Sequence, residues 1–178
     1  MAKWNIDPDH SVAAFSVRHM MVATVRGQFN KLGGTVNLDL ADPAGFTLDL
    51  TIAVAGIYTG ITLRDEHLRS PDFFDVAQHP AITFRSSGFK AEGKNGGALR
   101  GELMIHGITR PLEFKVSFLG PKKSPEGFGG ETTLGIAAKS SINREDFAMI
   151  WNVPLADGGL MVGKDINIYL DIEADLRE

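Results

Sequence analysis

The sequence predicts an all-β protein, an antiparallel barrel or sandwich, from three observations. Apolar and polar residues alternate through segment after segment, the mark of half-buried strands. Turn-forming clusters separate these segments, giving about eight strands. No stretch carries the pattern of a helix of ordinary length. Closure into a barrel would remove the exposed strand edges that otherwise invite aggregation.

The elements follow in order. The first strand sets Ala13, Phe15, Val17 and His19 on an inner face, and Val36, Leu38 and Leu40 mark the second. Asp42-Pro43-Ala44-Gly45 then turns the chain into the clearest strand, with Phe46, Leu48, Leu50, Ile52 and Val54 on one side and Thr47, Asp49 and Thr51 on the other. A helical insertion is expected near residues 62–75. Thr62 and Asp65 form a capping-box pattern for a short helix through Arg69. Ser70-Pro71-Asp72 reads as a second helix start, with Ser70 as N-cap and Pro71 at the first helical position. His79-Pro80 returns the chain to extended geometry. The Asn-Gly step in Lys94-Asn95-Gly96-Gly97 suits a hairpin between strands near 81–89 and 98–106. Leu112, Phe114, Val116 and Phe118 alternate with Glu113, Lys115 and Ser117. Gly120 through Gly130 reads as an exposed loop. Leu134, Ile136 and Ala138 follow, and the last strand runs through Ile166, Ile168, Leu170, Ile172, Ala174 and Leu176.

At 178 residues the chain is expected to form one domain, 1–178. Apolar residues make up 43% and charged residues 22%, ordinary for a soluble globular protein. Asp and Glu number 22 against 18 Lys and Arg, and no basic run occurs, so nucleic acid is not an expected partner. The absence of cysteine excludes disulfides, thiol catalysis and thiolate metal sites. No stretch approaches the roughly 18 apolar residues of a membrane span. Met1 to Asp7 lacks an apolar signal core, so a cytoplasmic location is expected, or a periplasmic or secreted one if a leader has been removed.

The residues that carry chemistry are sparse. His10, His19, His67, His79 and His106 are scattered, without the paired spacing of a zinc site, so no metal is expected. Neither Ser11 nor Ser140-Ser141 sits in a nucleophile elbow, and no phosphate-binding loop occurs. No catalytic residue and no cofactor are expected on this pattern. The exception is Arg64 to Asp75, dense in charge and carrying Phe73 and Phe74. It reads as a solvated helix face with weak ion pairs, or as the gate of a pocket whose rim presents Arg64, Asp65 or His67. Arg144 and Asp146 form a second arginine–acid–aromatic cluster with Phe147. Phe15, Phe29, Phe84, Phe114 and Phe118 either fill a small barrel or line a cavity for one apolar ligand. Periodicity does not distinguish the two.

The chain resembles the YceI-like family of lipocalin-like barrels over nearly its whole length. The resemblance starts at Trp4-x-Ile6-Asp7-x-x-His10-Ser11, runs through Phe15, Val17, His19 and Gly27-x-Phe29, and is densest at Thr59-Gly60 and Arg64-Asp65-x-His67-Leu68-x-Ser70-x-Asp72-Phe73-Phe74-Asp75. It continues with His79-Pro80-x-Ile82-x-Phe84, Gly107-Ile108-Thr109-Arg110-Pro111, Asn143-Arg144-x-Asp146-Phe147 and Val162-Gly163-Lys164-Asp165. One departure stands out: the family usually has glycine where this chain has Ala148, which costs stability if that position needs a positive φ.

The resemblance implies an extended eight-stranded antiparallel lipocalin-like barrel with an elongated apolar channel for a polyisoprenoid or similar long-chain amphiphile, and no catalytic activity. Combined with the alternation, it nominates Phe15, Val17, His19, Phe29, Leu38, Leu48, Leu50, Ile52, Phe73, Phe74, Phe84, Leu103, Ile105, Phe114 and Val116 as channel lining. Arg64, Asp65, His67, Arg144 and Asp146 become a polar rim or structural set. Three functions compete. A non-enzymatic carrier or store for an isoprenoid quinone or prenyl phosphate needs a hollow barrel. An enzyme needs His19, His67, Arg64 and Asp65 to converge in the cavity. An interaction barrel, such as a homodimer, needs Phe73 and Phe74 exposed.

Overall fold

The computed structural model describes residues 1–93 and 95–177. One antiparallel sheet closes on itself as eight staves in simple chain order, each bonded to the next. β1 comprises Ala2–Ile6 and Val12–His19, β2 comprises Ala23–Phe29 and Leu32–Leu38, and β3 comprises Thr47–Ala53 and Ile57–Tyr58. The others are unbroken: β4 Ala81–Ala91, β5 Gly96–Ile105, β6 Ile108–Lys123, β7 Thr132–Asn143 and β8 Val162–Leu176. β8 returns to β1 in two registers, Trp4 opposite Leu176 and Phe15 opposite Ile168, which closes the ring. The barrel rather than the sandwich is therefore the form adopted. Among the described residues, no helix is long and apolar enough to cross a membrane.

Alternation does the sorting inside the ring. In β3, Leu48, Leu50 and Ile52 are buried while Thr47, Asp49 and Thr51 are exposed. One end of the barrel is solid. Phe46, Phe89 and Phe118 meet edge-on or tilted there, with centroids 4.9–5.8 Å apart. Val36, Leu38, Leu48, Leu99 and Leu134 pack around them with no exposed surface.

The insertion is one helix, α1 (Thr62–Arg69), followed by turns. Two expectations about it fail. Ile61, not Thr62, caps α1, and no side chain bonds its free N–H groups. Asp65 instead reaches back to Thr59, whose backbone N–H and hydroxyl both donate to Asp65 Oδ1. No second helix begins at Ser70. The Ser70 hydroxyl donates to the His67 carbonyl at 2.7 Å, and the Phe74 N–H bonds back to Leu68 O, so the chain doubles back under α1.

Two connections also differ from expectation. The β4–β5 strands extend further than their pattern, to Ala91 and from Gly96, and Glu92 N–H bonds Gly96 O. The Asn95-Gly96 step is thus not a two-residue turn, and Lys94 lies outside the described residues. The loop expected from Gly120 is partly strand, because Lys122 and Lys123 pair with Thr133 and Thr132; only the stretch after Lys123 turns.

Candidate functional site

Beyond the solid end, the barrel contains a cavity of about 120 Å³. Its wall takes residues from all eight staves, from α1 and from the turns that follow it. Of the nominated lining residues, Phe15, Val17, Phe29, Leu50, Ile52, Phe73, Phe74, Phe84, Leu103, Ile105 and Phe114 face it. Leu38, Leu48 and Val116 do not. They lie on the inner face but at the solid end, where neighbours occupy all the space around them. His19 is also absent from the wall. It stands at the end of its strand, beside the Met20–Met21 turn, opposite Ala23.

Local sequence explains the hollow. Phe15, Phe29 and Phe74 lean ring on ring, with centroids 5.7 and 5.6 Å apart. Gly27 sits opposite Phe15 on β2. A Cβ at Gly27 would fall 2.4 Å from the Phe15 ring, so only glycine lets that ring lie across the strand. Ala13 and Ala14 are small, and the void remains beside these side chains.

The plug over the cavity is fixed by its charged residues. Arg64 donates from Nε to Thr59 Oγ1 and from Nη2 to Thr59 O, each at 2.7 Å. The Thr59 hydroxyl in turn donates a hydrogen bond to Asp65, which is only 5% exposed. Arg69 donates to the carbonyls of Ala55 and Ile57, tying the last turn of α1 to β3. His67 bonds Asp72 at 2.8 Å and packs edge-on against Phe73 and Trp151. None of Arg64, Asp65 and His67 lines the cavity. Phe73 is buried, and Phe74 is half-buried against Phe29.

Arg144 is different: 2% exposed and on the cavity wall. Its Nε donates to Gly163 O at 2.9 Å, Nη1 to Met149 O and Nη2 to Val162 O at 3.4 Å. No carboxylate pairs with it among the described residues. Burial pulls its pKa below the ordinary guanidinium value, and the nearby Glu145 charge opposes that. Its guanidinium carbon lies 6.0 Å from the Phe73 ring centroid, a cation over an aromatic face. Asp146, expected beside it, is exposed and takes no part.

The wall also includes residues that were not nominated as lining: Ala13, Ala14, Leu68, Ile82, Ile142, Met149, Val162, Ile166, Ile168 and Leu170. Those in strands carried an alternation signal that did not separate hollow from solid. Met149 and Trp151 lie in an aperiodic connection and carried none. Apart from Arg144, every lining side chain is apolar. Such a wall can bind by removing apolar surface from water. Among the described residues, no carboxylate, imidazole or hydroxyl lines it.

Comparison with known proteins agrees with this architecture. The sequence model of the YceI-like domain matches residues 4–174. A UPF0312 protein of Staphylococcus aureus is 33% identical over 178 residues, covering all of both chains. BcnA of Burkholderia cenocepacia superposes with a TM-score of 0.80 at 22% identity, over 94% of this chain and 98% of that one. A polyisoprenoid binding domain from Saccharophagus degradans superposes at 0.68 with 14% identity, over 99% and 100%. With its closed barrel, short plug helix and full-length sequence match, the chain belongs to the YceI-like domain family.

Proposed function

We propose that this protein binds one long-chain amphiphile of the polyisoprenoid class, an isoprenoid quinone or prenyl phosphate, in the hollow half of its barrel and carries or stores it unchanged. The observation that carries this reading is a cavity in the hollow half with a wholly apolar surface, with the Arg144 cation buried in its wall and paired with no carboxylate among the described residues. Each methylene removed from water contributes about 0.8 kcal/mol. Ten of them offer a gross gain of about 8 kcal/mol, a micromolar scale before ordering costs. Arg144 has five N–H groups and donates three to carbonyls; its polar atoms are shielded from the cavity, so a head-group oxygen would reach the other two only as the plug moves. The polyisoprenoid-binding domain of the same fold supports the ligand class.

Size sets a condition. The cavity of about 120 Å³ is smaller than the roughly 300–1,000 Å³ of pockets that take drug-sized ligands. A long chain therefore needs Phe74 and its neighbours on the plug to swing aside, and the bound form is expected to have a longer channel.

The enzymatic reading lacks its groups, since His19, His67, Arg64 and Asp65 are all off the wall. Self-association through Phe73 and Phe74 lacks its surface, since both rings turn inward. Organic extraction of the purified protein followed by mass spectrometry tests the proposal. A co-purifying polyisoprenoid is expected. No amphiphile in the extract, with a crystal structure whose interior is filled by side chains, would contradict it.

A further inference from the structure

We propose that Asp75, His79 and His106 form a binding site for one divalent late-transition ion, zinc foremost. Asp75 and His79, one turn apart, meet His106 where the end of the plug touches the β5–β6 hairpin. Their donor atoms all lie within 4.8 Å of one another, and all three residues are half-buried. The two imidazole rings stand 4.6 Å apart at 67°.

The local backbone aims these side chains. Asp75 and His106 both adopt positive φ, 46° and 52°, a region in which Asp and His are over-represented among non-glycine residues. His79 N–H bonds Asp75 O at 2.8 Å, which sets the two side chains one turn apart. Gly107, at φ 72°, leaves the room that the His79 ring occupies; a Cβ there would come within 2.9 Å of it.

The chemistry of the donors points to a metal rather than to a self-contained hydrogen-bond cluster. Neither histidine forms an ion pair or hydrogen bond with Asp75 among the described residues, although all three groups face one point. His106 engages the Phe147 carbonyl through Nδ1 at 3.1 Å. A proton donated there leaves Nε2 as a free lone pair, the arrangement by which a backbone carbonyl orients a metal-bound imidazole. Two neutral imidazoles and one carboxylate suit zinc and its first-row neighbours, with an open position for water. Tetrahedral ligands with bonds near 2.0–2.1 Å stand roughly 3.4 Å apart, so these side chains would close on the ion by about an ångström. A second grouping, Asp7, His10 and Glu173, is the internal rival. There His10 already bonds Asp7 at 2.6 Å, and its ring is largely exposed.

An ion at this place would staple Asp75, two residues after Phe73, to the hairpin that closes the same end of the barrel. The site stands independently of the lipid reading. The test is titration of the untagged, metal-stripped full chain with Co²⁺, followed by displacement with Zn²⁺. One equivalent should bind, give visible ligand-field absorption that zinc abolishes, and raise Tm. His79→Gln, His106→Gln and Asp75→Asn should each weaken binding by at least about 10-fold, while His10→Gln leaves it unchanged. Asparagine keeps the positive φ accessible, so Asp75→Asn serves if a histidine variant does not fold; circular dichroism in chelator checks each fold. No saturable binding, or binding lost in His10→Gln and kept in the other three, would overturn the site.

Discussion

The two halves of this barrel use the same alternating strands and reach opposite results. At the solid end, Phe46, Phe89 and Phe118 come from the approach to β3, from β4 and from β6, so their rings converge across the interior. At the hollow end, Phe15 and Phe29 come from adjacent staves, and Phe74 from the plug over them, so the rings lean on one another along one side. Small residues Ala13, Ala14 and Gly27 share that side. The lesson is that alternation decides which face is inward, whereas side-chain volume and the relative placement of the rings decide whether the interior is full.

The largest effects should come from breaking groups that have no slack. Phe46→Ala at the solid end should cost about 3–5 kcal/mol in urea unfolding. Arg144→Leu should cost a similar amount, about 3–5 kcal/mol, by stranding the carbonyls of Gly163, Met149 and Val162. Phe74→Ala, beside existing space and half-exposed, should cost less than about 2 kcal/mol. Equal losses for Phe46→Ala and Phe74→Ala would erase the distinction between the halves.

A smaller effect lies at the edge of the hollow half. Ala148 sits at φ 58°, ψ 18°, the left-handed conformation that a glycine would accept without strain. Ala148→Gly should stabilise the fold by about 1 kcal/mol, read as a rise in the urea midpoint. An unchanged midpoint would show that the strain is relieved elsewhere.

The smallest expected effect is a pH response from the surface pair Asp7 and His10. The hydrogen bond that His10 donates to Asp7, then the charges of Asp7 and Glu173, raise the His10 pKa. The same bond lowers that of Asp7, against a smaller opposing effect of burial. With the folded value raised, the His10 contribution is complete below the ordinary imidazole pKa and fades as pH rises through the folded one. With the folded value lowered, the Asp7 contribution is present above the ordinary carboxylate pKa and fades as pH falls through the folded one. An NMR titration should find His10 above the free-histidine value in the folded chain. A value at or below it would remove the pair from the account.

Much of the fold was legible because period-two alternation is a direct record of which side chains face the interior. Leu48, Leu50 and Ile52 read correctly as one face, yet only Leu50 and Ile52 reach the cavity. Nothing local separates Leu48 from them; its neighbours across the barrel do. Arg64 and Asp65 were visible as an unusual charged pair, but their shared partner, Thr59, depends on the turn before α1. Arg144 gave no hint that three carbonyls rather than Asp146 would hold it. The meeting of Asp75, His79 and His106 follows from the β4–β5 register, Thr83 opposite Met104, which sets the β5–β6 hairpin tip beside the end of the plug; alternation alone does not fix that register.

The chain has two tryptophans, one in each half. Trp4 is buried in the solid half near Leu38, its indole N–H 3.4 Å from that carbonyl. Trp151 packs 5.4 Å from the Phe73 ring of the plug. The most direct test is therefore to titrate delipidated Trp4→Phe and Trp151→Phe variants with a polyprenyl phosphate and follow the emission of the tryptophan that remains. A saturable change in Trp151 emission, with Trp4 emission unaltered, is the expected result. No saturable change in either, or a change confined to Trp4, would contradict binding in the hollow half.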